Sequence, residues 1–102
     1  MSDNRELLEL AAKAAGYVVE FIGEDAFRNG QMGYWNPFED DGDAFRLMVE
    51  LEMSVEVYST GIVVKNRYGY PTQICLSHPD PHVATRRAIV QAAAEIGRQM
   101  NS

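Results

Sequence analysis

Cysteine is nearly missing from this chain: Cys75 is the one thiol in 102 residues, so no disulfide can form within it. A small secreted domain stapled by several bridges is therefore not the expectation. Basic clusters are equally scarce. The longest is the pair Arg86-Arg87, and nine Lys and Arg face fifteen Asp and Glu, a formal charge of −6. Binding to nucleic acid by counterion release needs a basic stripe against the phosphates, so direct contact with DNA or RNA is not expected. A basic protein partner would be steered favourably, although mild acidity also serves plain solubility. No apolar run approaches the ~20 residues of a membrane span. The opening Met1-Ser2-Asp3-Asn4-Arg5-Glu6 lacks the basic and apolar regions of a secretory leader, which makes the cytosol the expected compartment.

Catalytic signatures are missing too. There is no G-x-S-x-G, no P-loop and no G-x-G-x-x-G, and Gly30 and Gly33 are too few to cradle a phosphate. Cys75 lies between Ile74 and Leu76, where cysteine acts as a small hydrophobe. Ser77-His78 adjacency makes no triad, which is assembled by geometry rather than by sequence neighbours. His78 and His82 have the spacing of a helical zinc pair, but Pro79 and Pro81 between them forbid a shared helical face. No enzyme activity, cofactor or catalytic residue is expected.

What is present is the composition of one globular domain, residues 1–102, with 46% apolar and 24% charged residues. Leu7, Leu8, Ala11, Ala14 and Ala15 make a helical stripe over residues 3–15, with Ser2 or Asp3 as cap and Gly16 at the left-handed exit. Residues 17–22 read as a strand. The connection that follows carries turn signals and many aromatics, and Asn29-Gly30 predicts a short hairpin within it. Ala44, Leu47, Met48 and Leu51 predict a helix over 41–52. Strands at 54–58, 62–66 and 72–77 have links too short for parallel crossovers, so they should form a meander. Asp80 caps and Pro81 opens a final helix that buries Ala88, Ile89, Ala92, Ala93, Ile96 and Met100. The expected class is α+β: one mostly antiparallel sheet covered by helices, sandwich-like, in the order α-β-α-β-β-β-α.

The most distinctive stretch is Trp35-Asn36-Pro37-Phe38-Glu39-Asp40-Asp41-Gly42-Asp43-Ala44, with Tyr34 just before it. Four carboxylates crowd a helix start, where the dipole stabilises each by roughly 0.3–1 kcal/mol while they repel one another. That excess over what a cap needs makes Tyr34, Trp35, Glu39, Asp40, Asp41 and Asp43 the candidate binding residues. An EF-hand does not fit. With Gly42 at the glycine position, Pro37 falls on the first ligand and Met48 on the bidentate glutamate. Capping plus an acidic surface is the plain reading. Trp35 is placed in the core, as a lone Trp in a small domain usually is. Were it exposed, it would join Tyr34, Tyr68 and Tyr70 in an aromatic patch.

The stretch Trp35-Asn36-Pro37-Phe38-Glu39-Asp40-Asp41-Gly42-Asp43-Ala44-Phe45-Arg46-Leu47 resembles the W-N-P-hydrophobic-x-D-D-G-D-A-hydrophobic-R-L run of the phage ABA-sandwich domain family. A looser likeness extends to NinX-type phage proteins. The closing run from Ala84 to Gly97 and the opening Arg5-Glu6-Leu7-Leu8-Glu9-Leu10-Ala11-Ala12-Lys13-Ala14 are similar to that family as well. The resemblance implies an α/β/α sandwich and a phage or prophage origin, hence a bacterial host cytoplasm. It implies no activity and carries over no catalytic position. In this setting Asn36-Pro37 would set the turn that feeds the acidic helix. Three readings stand: a non-enzymatic accessory protein that binds a host or phage protein, in anti-defence or regulation; a divalent-metal or small-ligand domain using the acids at 39–43; and a self-associating module built on the small-residue face of the last helix. Oligomeric state is open.

Overall fold

The computed structural model describes residues 3–23, 25–76 and 80–100. In chain order it contains α1 (Asp3–Ala15), β1 (Val19–Ile22), β2 (Asp25–Arg28), α2 (Asp41–Glu50), β3 (Ser54–Tyr58), β4 (Gly61–Lys65), β5 (Pro71–Leu76) and α3 (Pro81–Gln99). The class is α+β with antiparallel strands throughout, as the sequence predicts. The order holds one strand more than expected, and the strands divide into two sheets, β1-β2 and β3-β4-β5. Ser77, His78 and Pro79, and with them the His78/His82 spacing, lie outside the described residues. So do the side chains of Ile74 and Cys75 and the proposed Ser2 or Asp3 cap.

Helix α3 lies at the centre. It packs against α1, against α2 and on the inward face of the three-stranded sheet. A helix enclosed on several sides needs more than one apolar stripe. Accordingly, Ala84, Val90, Ala94 and Gly97 are buried along with Ala88, Ile89, Ala92 and Ala93. Met100, expected inside, stands in solvent at the C-cap. The small side chains let α1 approach very closely: a Cβ on Gly97 would fall 2.0 Å from the carbonyl oxygen of Leu10. That face is therefore already occupied inside the molecule and is not free for a second copy. From α1, Leu8, Ala11 and Ala12 enter the same core; from the meander, Ile62 and Val64 do.

The helix ends follow local chemistry. Gly16 (φ 75°) closes α1: its N–H reaches Lys13 at 3.2 Å and the Tyr17 N–H reaches Ala12 at 2.9 Å. This paired arrangement delays β1 to Val19 rather than residue 17. Helix α2 ends the same way, before the predicted residue 52. Glu52 donates to Val49 (3.1 Å) and Met53 to Met48 (3.0 Å), and Glu52 occupies the left-handed position with φ 55°. A side chain there costs about 1 kcal/mol that glycine avoids. The exposed Arg67–Glu52 contact at 4.0 Å offsets little of it. Glu52→Gly should therefore raise the urea midpoint by the equivalent of about 0.5–1 kcal/mol with an unchanged slope. An unchanged or lowered midpoint would refute the strain.

The predicted hairpin at Asn29-Gly30 is corrected. The turn lies earlier, just after β1, with Gly23 at φ 65° and Ile22 paired to Asp25. Asn29-Gly30 instead ends the pairing: Asn29 donates to Val18 (2.9 Å), and Gln31 donates to Arg28 (3.0 Å) across Gly30. The meander matches its prediction, with Val55 opposite Val64, Glu56 opposite Val63, and Val63 opposite Ile74 in one sheet. At the last helix, Asp80 accepts from His82 at 2.9 Å and Val83 at 3.3 Å. Those two N–H groups hold its carboxyl below the ordinary aspartate value.

Candidate functional site: the acidic helix start and an adjoining groove

The four carboxylates that open α2 go to different partners. Asp40 is the N-cap, accepting from the Asp43 N–H at 2.9 Å. Asp41 faces outward and pairs with Arg86 of α3. Glu39 is exposed. Asp43 turns inward and is 1% exposed, the one charged residue among the described core. Its Oδ2 accepts from the Asn36 N–H at 2.9 Å, and its Oδ1 from Arg46 at 2.8 Å and Gln31 at 3.2 Å. A buried carboxylate is tolerable only with such a set of donors. The same bond raises the guanidinium of Arg46 above its ordinary value. Asp43 thus ties the loop at 31–36 to the first turn of α2.

The loop itself is pinned on both sides. Trp35 is 1% exposed, its N–H donates to Ala26 at 2.8 Å, and Tyr17 meets its ring edge-on at 5.9 Å. Partial burial raises the Tyr17 phenol above its usual value. Asn36 and Pro37 do form the turn into the helix. The Asn36 side chain accepts from Phe38 at 3.1 Å, its carbonyl accepts from Glu39 and Asp40, and Pro37 is buried. Arg86 completes the clamp by donating from Nε to the Phe38 carbonyl at 2.7 Å. Half of the single basic pair is therefore turned inward.

This geometry separates the candidate residues. Trp35 and Asp43 are buried scaffold, and Asp40 and Asp41 are engaged by an N–H group and a guanidinium. Tyr34, Glu39, Asp40 and Asp41 are all exposed; Tyr34 leans on Phe27 at 5.1 Å, and Glu39 has neither of the engagements that hold Asp40 and Asp41. With Trp35 inside, it joins no exposed patch with Tyr34, Tyr68 and Tyr70. Among the described residues, no group of three or more His, Cys, Asp or Glu side chains is arranged to hold a metal ion. Beside the stretch lies a polar depression of ≈ 620 Å³ lined by Arg28, Gln31, Tyr34, Asp43 and Arg46 among others.

A second concavity, not anticipated from the sequence, is apolar. It has a volume of ≈ 520 Å³ and lies between α2, β3 and α3, lined by the apolar Ala44, Phe45, Met48, Val55, Val57, Pro81 and Ile89 together with Asp41, His82, Thr85 and Arg86. Phe45 is 60% and Val57 55% exposed, and Val49 continues the apolar surface along α2. Family models, curated proteins and solved structures offer no match to this chain. Phe45 lies beside the stripe residue Ala44, and Val57 reads in sequence as an ordinary strand residue. The one available signal was that α2 has more apolar positions than a single buried face requires.

Proposed function

We propose that this protein is a non-enzymatic phage or prophage accessory protein that acts in the bacterial cytoplasm by binding a host or phage protein. The phage origin rests on the likeness of residues 35–47 to that family. The binding role rests on one observation: the apolar groove between α2, β3 and α3, with Phe45 and Val57 more than half exposed at its mouth. Contiguous apolar surface of this kind on a small soluble domain is costly to leave wet and is characteristic of protein contact sites. The acidic stretch adjoins the groove, because Asp41 and its partner Arg86 are among the residues that line it. Among the described residues no helix is long and apolar enough to cross a membrane, which agrees with a partner met in solution.

Capture from host lysate at low salt tests this with three forms of the chain. Wild type and Tyr34→Ala should retain the same partner. Val57→Asp, which puts a charge in the groove at an exposed position, should weaken it by more than about tenfold. Equal retention by Val57→Asp, or no retained protein with the wild type, would overturn the reading.

A further inference from the structure

We infer that the groove takes an extended, basic polypeptide segment, which adds to the sheet as a fourth strand along β3. This rests on the proposed binding role and names the chemistry of the partner. Strand β3 is an edge, with β4 as its one neighbour among the described residues. The two-residue turn Ser59-Thr60 makes Tyr58 and Gly61 the closing pair, and the register alternates from there. Glu56 and Ser54 therefore bond to β4, and the N–H and C=O groups of Val55 and Val57 point away from it. The side chains of those same two residues line the groove. Main-chain donors and acceptors thus lie along one wall of an apolar trough. A strand satisfies both at once, its backbone pairing with β3 and its alternate side chains entering between Phe45 and Met48. A helix would fill the trough and leave the edge unpaired.

Charge selects the kind of strand. The chain carries −6, so a second copy is repelled at low salt while a basic segment is attracted. The arginine that lines the groove does not oppose this, because Arg86 is held by Asp41 and the Phe38 carbonyl; Arg46, next to Phe45, is held by Asp43, and Lys65 on β4 by Glu56 at 3.3 Å. The occupant is therefore a segment with apolar side chains on one face and Lys or Arg on the other.

The probe is a short blocked peptide of alternating lysine and valine, added to the full chain up to millimolar concentration and followed by NMR. Exchange of the Val55 and Val57 amide protons should slow by at least about tenfold at saturation, with the Ser54 and Glu56 amides little changed. The same peptide N-methylated on its alternate pairing amides should give no protection. Three results would overturn the inference: no protection at any concentration, equal binding by a helical alanine-lysine peptide, or protection that rises with protein concentration alone, which would identify a second copy. If Val57→Asp loses a lysate partner while no strand protects β3, the groove reading stands and strand addition alone fails.

Discussion

Gly97→Ala is expected to cost about 3 kcal/mol or more, although helix propensity alone predicts a gain. In a free helix, replacing glycine by alanine stabilises by about 0.8–1 kcal/mol. Here the added methyl would fall 2.0 Å from the Leu10 carbonyl oxygen and 2.8 Å from its carbon. Those are backbone atoms of α1, so no rotamer change relieves the overlap and the two helices must separate. The α1–α3 seam is the most extensive contact between elements in the fold, and it is lined by alanines that cannot stretch to refill a gap. Overpacking that moves helices typically costs 1–3 kcal/mol, and a backbone-to-backbone clash belongs at or beyond the upper end of that range. A domain of this size is only about 5–15 kcal/mol stable, so thermal melting by circular dichroism will show a large drop. A variant melting at or above the wild type would mean that α1 and α3 are not this close.

Asp43→Ala is expected to cost about 3 kcal/mol by a different route. The carboxylate accepts from Asn36, Arg46 and Gln31 in a position that water does not reach. Its removal leaves the part-buried Asn36 N–H and Gln31 amide without their shared acceptor and takes the closest anion from the half-exposed Arg46. It also frees the loop that carries Trp35 and Pro37 into the core. Asp40→Ala should cost less, about 1 kcal/mol, because what is lost is a capping bond at the surface and an exposed contact with Arg46 at 3.8 Å that contributes little.

How much of this was legible in the sequence depended on whether the determinant was local. Gly16, Asp80-Pro81 and the short turns of the meander act through their own backbone, and all three were placed correctly. Strand β2 was not, because Asp25-Ala26-Phe27-Arg28 has one strongly strand-forming residue and pairs through a turn signalled by Gly23 rather than by Asn29-Gly30. The division into two sheets follows from that missed strand. For the acids, crowding was visible but allocation was not. Asp40 caps and Asp43 turns inward on partners within residues 31–46 whose meeting depends on the path of the loop, while the pairing of Asp41 depends on Arg86 of α3, more than forty residues away. The groove was illegible for the same reason, since Phe45 and Val57 become neighbours of one trough only after α2 and β3 settle on α3.

The acidic helix start is scaffold, held together at Asp43. Melting of wild type and Asp43→Ala, each with and without Mg²⁺, Ca²⁺ or Mn²⁺, tests it directly. The account predicts that the variant melts more than about 10 °C lower, since 1 kcal/mol corresponds to about 4–8 °C in a domain of this size, and that no cation moves the wild-type midpoint. A wild type that melts higher with a divalent cation, beside a variant as stable as the wild type without it, would contradict the account and make the cluster a ligand site.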